Sequence, residues 1–147
     1  MKVNYQSTNE NPEVIVRGEW KTIPWCKLER KVYKLQRRIY TASQRGETLK
    51  VRKLQRLLMK SRAAKLLAIR RVTQENKGKK TAGIDGVKYL TPYQRLKLAK
   101  NLRIDGKAKP TRRVWIPKPG REEKRPLGIP VMEDRAKQKL VELLPSR

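Results

Sequence analysis

Lys118 and Arg125 stand on either side of a short loop and are framed by prolines. Val114-Trp115-Ile116-Pro117-Lys118-Pro119-Gly120 precedes the loop and Arg125-Pro126-Leu127-Gly128-Ile129-Pro130 follows it. The two apolar runs face each other across a loop that adds Arg121 and Lys124, so cations gather at a tip with stiff flanks. Lysine supplies a compact point charge and arginine a planar fork that grips two oxygens at once. The chemistry on offer at such a tip is phosphate binding. A further block, Asp134-Arg135-Ala136-Lys137-Gln138, comes directly after it.

A second group of cations lies earlier in the chain. From Lys50 to Lys80 there are twelve basic residues and one acidic residue, Glu75. Arg52, Lys53, Arg56, Lys60, Arg62 and Lys65 fall in a segment of helical periodicity, Arg70 and Arg71 close it, and Lys77, Lys79 and Lys80 occupy the loop beyond. Arg112 and Arg113 add charge at the foot of the proline-framed segment. A solvated face explains any one of these, but the bias of the group exceeds what solubility requires and is expected to contact a polyanion. The whole chain carries 39 Lys and Arg against 13 Asp and Glu, a formal charge of +26 that repels itself without such a partner. Nucleic acid is the leading candidate.

Other chemistries are excluded by composition. The chain has no histidine and one cysteine, Cys26, so disulfide frameworks, Cys/His zinc sites and histidine acid–base catalysis are all ruled out. Cys26 is expected to be a small packed residue. No apolar stretch approaches the roughly 20 residues of a membrane span, and the opening Met1-Lys2-Val3-Asn4-Tyr5-Gln6 lacks the apolar run of a secretory signal. The expected location is a bacterial cytoplasm or an organelle, without membrane or secretion.

The elements that must position these cations follow from periodicity. Residues 1–19 are polar and aperiodic and read as an arm. Trp20, Ile23, Pro24 and Trp25 then lead into a helix whose apolar residues Leu28, Val32, Leu35 and Ile39 recur at steps of four, three and four. Gly46 is placed to end it. A second helical stretch is expected from about Thr48 to Thr73, with a break near Ser61 and an apolar side of Val51, Leu54, Leu57, Leu58, Leu66, Leu67 and Ile69. The glycines and lysines of residues 76–86 form a loop, which lacks the spacing and the preceding strand of a nucleotide-binding phosphate loop. Thr91-Pro92-Tyr93-Gln94 combines a capping hydroxyl, a proline at the first helical position and a capping-box glutamine, so a helix to about Leu102 is expected. Beyond Gly106 the period becomes alternating, and residues 112–117 and 126–131 are strand candidates whose prolines suit a protruding hairpin. Glu133 and Asp134 open a last helix carrying Ala136, Leu140, Val141 and Leu144. The expected class is α+β, a mostly helical N-terminal half followed by a hairpin and a C-terminal helix.

These blocks, in this order, resemble the N-terminal part of group II intron reverse transcriptases and maturases, from about Trp20 to Leu144. The resemblance rests on Trp20 with Ile23-Pro24-Trp25, on the basic run from Ala64 to Gln74, on Gly78-Lys79-Lys80-Thr81-Ala82-Gly83-Ile84-Asp85-Gly86, and above all on the proline-framed hairpin with Asp134-Arg135. It implies a fragment of a right-hand polymerase, with residues 20–106 as the helical N-terminal domain and 107–147 as the start of the fingers. The implied partners are intron RNA and template-primer. By the same resemblance Lys118 and Arg125 approach the triphosphate of an incoming nucleotide. The metal-binding palm aspartates are not matched: Asp85 and Asp134 fall in non-catalytic blocks, no Tyr-x-Asp-Asp turn occurs, and magnesium is implied only for the complete polymerase. No residue here is therefore expected to be catalytic or to bind metal.

Pro145-Ser146-Arg147 cuts the last helix where the family continues, which leads to the expectation of a truncated or split polymerase. Two alternatives stand beside an RNA-binding fragment. One is half of a split RNA-directed DNA polymerase completed by a separate palm-containing chain. The other is a generic basic nucleic-acid packaging protein, which composition alone favours and the ordered motif blocks oppose.

Overall fold

In a computed structural model, residues 19–75, 81–120 and 122–145 are described. The arm expected over residues 1–19 lies, except for Glu19, outside them. Helix α1 (Trp25–Gln44) buries Val32, Ile39 and Ala42. It ends in a left-handed glycine, Gly46 at φ 69°, with Glu47 N–H donating to the Ala42 carbonyl at 3.0 Å and Gly46 N–H to Ser43 at 3.1 Å. This closure satisfies carbonyls that a helix end leaves open. Helix α2 (Thr48–Lys60) packs on α1 through Leu54 and Leu58.

The expected break at Ser61 is a corner. Its backbone is extended (φ −66°, ψ 124°) and its hydroxyl accepts from Ala64 N–H at 3.3 Å, capping helix α3 (Arg62–Arg70). Ala63, Ala64, Leu66, Leu67, Ala68 and Ile69 are all buried in α3, which touches α1, α2 and both helices that follow. A π-helical turn, Arg71–Glu75, continues it, with the buried Thr73 hydroxyl donating to the Ile69 carbonyl at 2.6 Å. Helix α4 (Pro92–Asn101) starts with the expected capping box: Gln94 N–H donates to the Thr91 hydroxyl at 3.2 Å, and Thr91 N–H to the Gln94 side chain at 2.9 Å.

Strands β1 (Arg112–Pro117) and β2 (Lys124–Ile129) form a two-stranded antiparallel hairpin in which Arg112 faces Ile129 and Pro117 faces Lys124. The second strand begins and ends two residues earlier than its sequence suggested. The ladder runs on past Pro117, where Lys118 N–H donates to the Glu123 carbonyl at 3.0 Å. At the other end Pro130 has no N–H to give, and Val131 is already the cap of helix α5 (Met132–Glu142).

Helix α5 returns to the N-terminal helices. Ala136, Leu140 and Leu143 join one apolar cluster with Val32, Leu58, Leu66, Ile69 and Leu102, and the Gln36 side chain donates to the Leu143 carbonyl at 2.7 Å. Leu144 lies past the helix end, in a turn, and is half-buried against the core. Three residues read as packed are exposed. Trp25 turns inward against Trp20, edge to face at 5.0 Å, which rotates Cys26 to solvent. Leu57 and Val141 each adjoin a fully buried leucine, Leu58 and Leu140, and one residue is a 100° step around a helix. Among the described residues no helix is long and apolar enough to cross a membrane.

Because α5 closes the core that α1 to α4 build, Leu140→Ala is expected to cost about 2–5 kcal/mol and to lower the stability of the whole unit. Urea unfolding followed by Trp20 and Trp25 fluorescence checks this. Unfolding of those tryptophans at the wild-type midpoint would show instead that α5 is an independent appendage.

Candidate nucleic-acid interface

Arg52 and Arg56 lie four residues apart on α2, with Lys60 at its last position, so one helix face presents three cations one turn apart. The Ser61 corner then brings Lys65 of α3 round to the same side. Together with Arg103, which follows α4, these five cations line a cleft of about 810 Å³. Gln55, Met59, Ile104 and Leu144 complete its walls, and among the described residues no carboxylate lines it. Burial holds the Lys65 ammonium below the usual lysine pKa, and the neighbouring Arg103 charge pushes it the same way. Like charges held together over an apolar floor favour an anion that bridges them.

Arg103 has no signal in the sequence, because it lies past the end of α4. Its neighbour Leu102 is fully buried, and that anchor carries Arg103 to the cleft. Other cations from the expected set go elsewhere. Arg62 lines a separate hollow of about 710 Å³ with Lys97 and Lys100. Arg70 lies over the Trp25 ring at 4.7 Å and 3.5 Å from Glu75, so it serves the fold. Lys53 is exposed and Arg71 half-buried, and neither lines the cleft. Lys77, Lys79, Lys80 and Arg121 are outside the described residues.

The hairpin sorts its side chains by register. Residues directly opposite in an antiparallel pair share a face. Ile116 opposite Arg125 therefore puts Arg125 on the face of Val114 and Ile116, and alternation puts Lys118 there too. Arg113, Trp115, Pro126 and Lys124 take the other face, and Trp115 is exposed. Lys118 lies 3.6 Å from Glu123, a partly exposed pair worth little in water. Arg112 donates to the Ala82 carbonyl at 3.5 Å and helps fix the hairpin's foot.

That foot is closely built. The Arg135 guanidinium donates to the Pro130 carbonyl at 2.9 Å and to the Thr81 carbonyl. Gly83 fits against Pro130 and Val131 so closely that a Cβ would meet the Val131 backbone at 2.8 Å. The close approach that glycine allows in this loop is thus to the chain's own backbone. Asp85 and Asp105 each cap a turn, accepting from Val87 N–H at 3.1 Å and Lys107 N–H at 3.0 Å. Buried Asp134 accepts from Lys109 N–H at 2.8 Å. Among the described residues no acidic, histidine or cysteine cluster fits a metal ion. All three aspartates accept backbone N–H groups of the fold.

Residues 20–102 match the family described as the N-terminal domain of reverse transcriptase. Maturase-like protein 1 of Euglena gracilis is 39% identical over 79 residues, which is 54% of this chain and 17% of that protein. Protein YkfC of Escherichia coli strain K12 is 32% identical over 114 residues, 74% of this chain and 29% of that protein. The chain thus spans less than a third of the length of either curated relative.

The Lys65 pKa tests the geometry of the cleft. In Arg103→Gln it is expected to rise toward the ordinary lysine value while staying below it, because burial remains. With a folded pKa below the unfolded one, the protonated group disfavours the folded state. That penalty is full below the folded pKa and lifts as pH rises from there to the unfolded value. Titration of the Lys65 side-chain carbon signal by NMR reads the shift, and an unchanged pKa would mean that Arg103 does not face Lys65.

Proposed function

Since the chain belongs to the reverse transcriptase N-terminal domain family, with the sequence character of group II intron reverse transcriptases and maturases, we propose that it binds structured RNA through the cleft between α2, α3 and Arg103. The observation that carries this is the convergence of Arg52, Arg56, Lys60, Lys65 and Arg103 on one concavity, with no carboxylate among its described lining residues. A folded RNA strand offers phosphates at regular spacing, and neutralising them releases condensed counterions. Arginine forks give those contacts direction and lysines add charge. The RNA in this reading is intron RNA or template-primer, and the domain's role is to hold it.

Binding is expected to weaken steeply with salt. Arg52→Gln with Arg56→Gln should lower the slope of log affinity against log salt by about 0.7–0.9 for each phosphate that is no longer neutralised. Fluorescence anisotropy with folded intron RNA at a series of salt concentrations reads this. Affinity independent of salt, or equal for intron RNA and random duplex, would defeat the proposal, the latter in favour of a packaging role.

A second reading is favoured by the hairpin register. Lys118 and Arg125 share one face at the tip, the arrangement that lets a point charge and a fork meet one triphosphate. In this reading a palm, in the same chain or a separate one, supplies the metal ions and the primer hydroxyl, and the hairpin orients the incoming nucleotide. Primer extension by the assembled polymerase is expected to show a raised KM for nucleotide in Lys118→Ala and Arg125→Ala. Extension unchanged in both variants would remove the assignment.

A further inference from the structure

The solvent face of α1 carries cations and aromatic rings, with one acid, Glu29, a turn before Tyr33. Arg30, Tyr33, Arg37 and Tyr40 follow at steps of three, four and three, which stacks them along one side of the helix. Tyr33 and Tyr40 each lie one 100° step round the helix from Val32 and Ile39, which face the core. Tyr33 is 57% exposed and Tyr40 56% exposed, although tyrosine normally hides much of its ring. The Arg37 guanidinium lies 5.9 Å from the Tyr33 ring centre and donates to its hydroxyl at 3.4 Å, so the ring is held upright by a cation.

Beside this stripe is a small notch of about 180 Å³ at the turn from α1 to α2. It is lined by Arg37, Arg38, Thr41, Ala42, Arg45 and Lys50; Glu47 pairs with Lys50 at 3.7 Å from outside the lining, an exposed pair worth little in water that leaves three arginines to hold phosphate. Rings with an open face and a cationic track next to them are the two parts of a platform for unpaired nucleic acid. Bases stack on the rings without regard to sequence, and the phosphates follow the cations. A duplex offers phosphates but keeps its base faces covered. A protein partner would need acids to match the notch and an apolar patch broader than two isolated rings.

We propose that the Tyr33–Tyr40 face of α1 is a second nucleic-acid surface, specific for single-stranded segments, which stacks unpaired bases on its two rings while the notch holds their phosphates. This rests on the nucleic-acid reading given above and adds to it a separate site and a strand preference. The cleft grips phosphates of either form; the α1 face discriminates.

The test compares an unstructured oligoribonucleotide with a fully paired duplex of equal length, by anisotropy on the whole chain. Tyr33→Ala with Tyr40→Ala is expected to lose roughly tenfold or more in single-strand affinity and to leave duplex affinity unchanged. Tyr33→Phe with Tyr40→Phe keeps the rings and should bind the single strand as the wild type does. Both positions point to solvent, and circular dichroism of each variant confirms that the fold is kept. Arg52→Gln with Arg56→Gln, in the cleft, should weaken both ligands. Single-strand binding untouched in the alanine variant would overturn the α1 platform and leave the cleft standing, as would an equal loss on both ligands. A wild-type chain that binds neither ligand would overturn the nucleic-acid reading and the platform with it.

Discussion

Holding 39 lysines and arginines apart while a small apolar core closes beneath them is the demand that shapes this chain. The helices meet it by burying narrow stripes of Leu, Ile, Val and Ala and leaving the rest of each surface cationic. Where a cation must come inside, aromatic rings receive it. Arg95 is buried with its guanidinium 5.3 Å from the Trp20 ring centre and 5.8 Å from that of Tyr89, and its Nε has no hydrogen-bond partner among the described residues. Burial lowers its pKa, with Tyr89 acting in the opposite direction. Ring faces thus replace part of the water that Arg95 gives up. Trp25 does the same for Arg70 at the other side of the Trp20 pair.

Few acids are available, and three of them, Asp85, Asp105 and Asp134, hold backbone N–H groups. Lys137 shows the pattern: its ammonium is 3.1 Å from Asp105 and from the Lys107 carbonyl, 3.8 Å from Glu133 and 3.9 Å from Asp134. Desolvation lowers its pKa, and Asp105, Glu133 and Asp134 together outweigh that and raise it. With Arg135 and Gly83, this cluster joins the 81–86 loop, the segment before β1 and the first turn of α5 into one corner. The two-stranded hairpin therefore rises from a foot tied to three segments of the chain. The Asp134-Arg135 block explains itself as architecture: Asp134 anchors the chain before the hairpin and Arg135 the loop beside it. With these carboxylates engaged elsewhere, none lines the cleft among the described residues, and the α1 notch has Glu47 beside it, paired with Lys50.

Much of this was legible from local rules. The Thr91 capping box, the Gly46 helix stop, the Ser61 break and the first strand follow from side-chain and backbone preferences acting over a few residues, and those do not depend on the rest of the fold. Errors fell where a choice between adjacent residues turns on a distant neighbour. Cys26 and Trp25, Leu57 and Leu58, and Leu140 and Val141 differ by one helical step, and the element packed against them chose which faced inward. The start of β2 depended on how far the ladder runs beyond Pro117, a matter of turn geometry.

By itself the sequence determined the cationic class of the protein, the order of its elements, the absence of histidine and disulfide chemistry, and the hairpin carrying Lys118 and Arg125. Tertiary structure alone decided which cations act together. Arg52, Arg56, Lys60 and Lys65 were indistinguishable in sequence from Arg62 and Arg70, yet the corner at Ser61 gathers the first four around Arg103, turns Arg62 to another hollow and sets Arg70 on a tryptophan. A charge run records only how many cations a segment has. Their convergence on one anion depends on helix phase and on contacts between residues far apart in the chain, and those exist only once the core has closed.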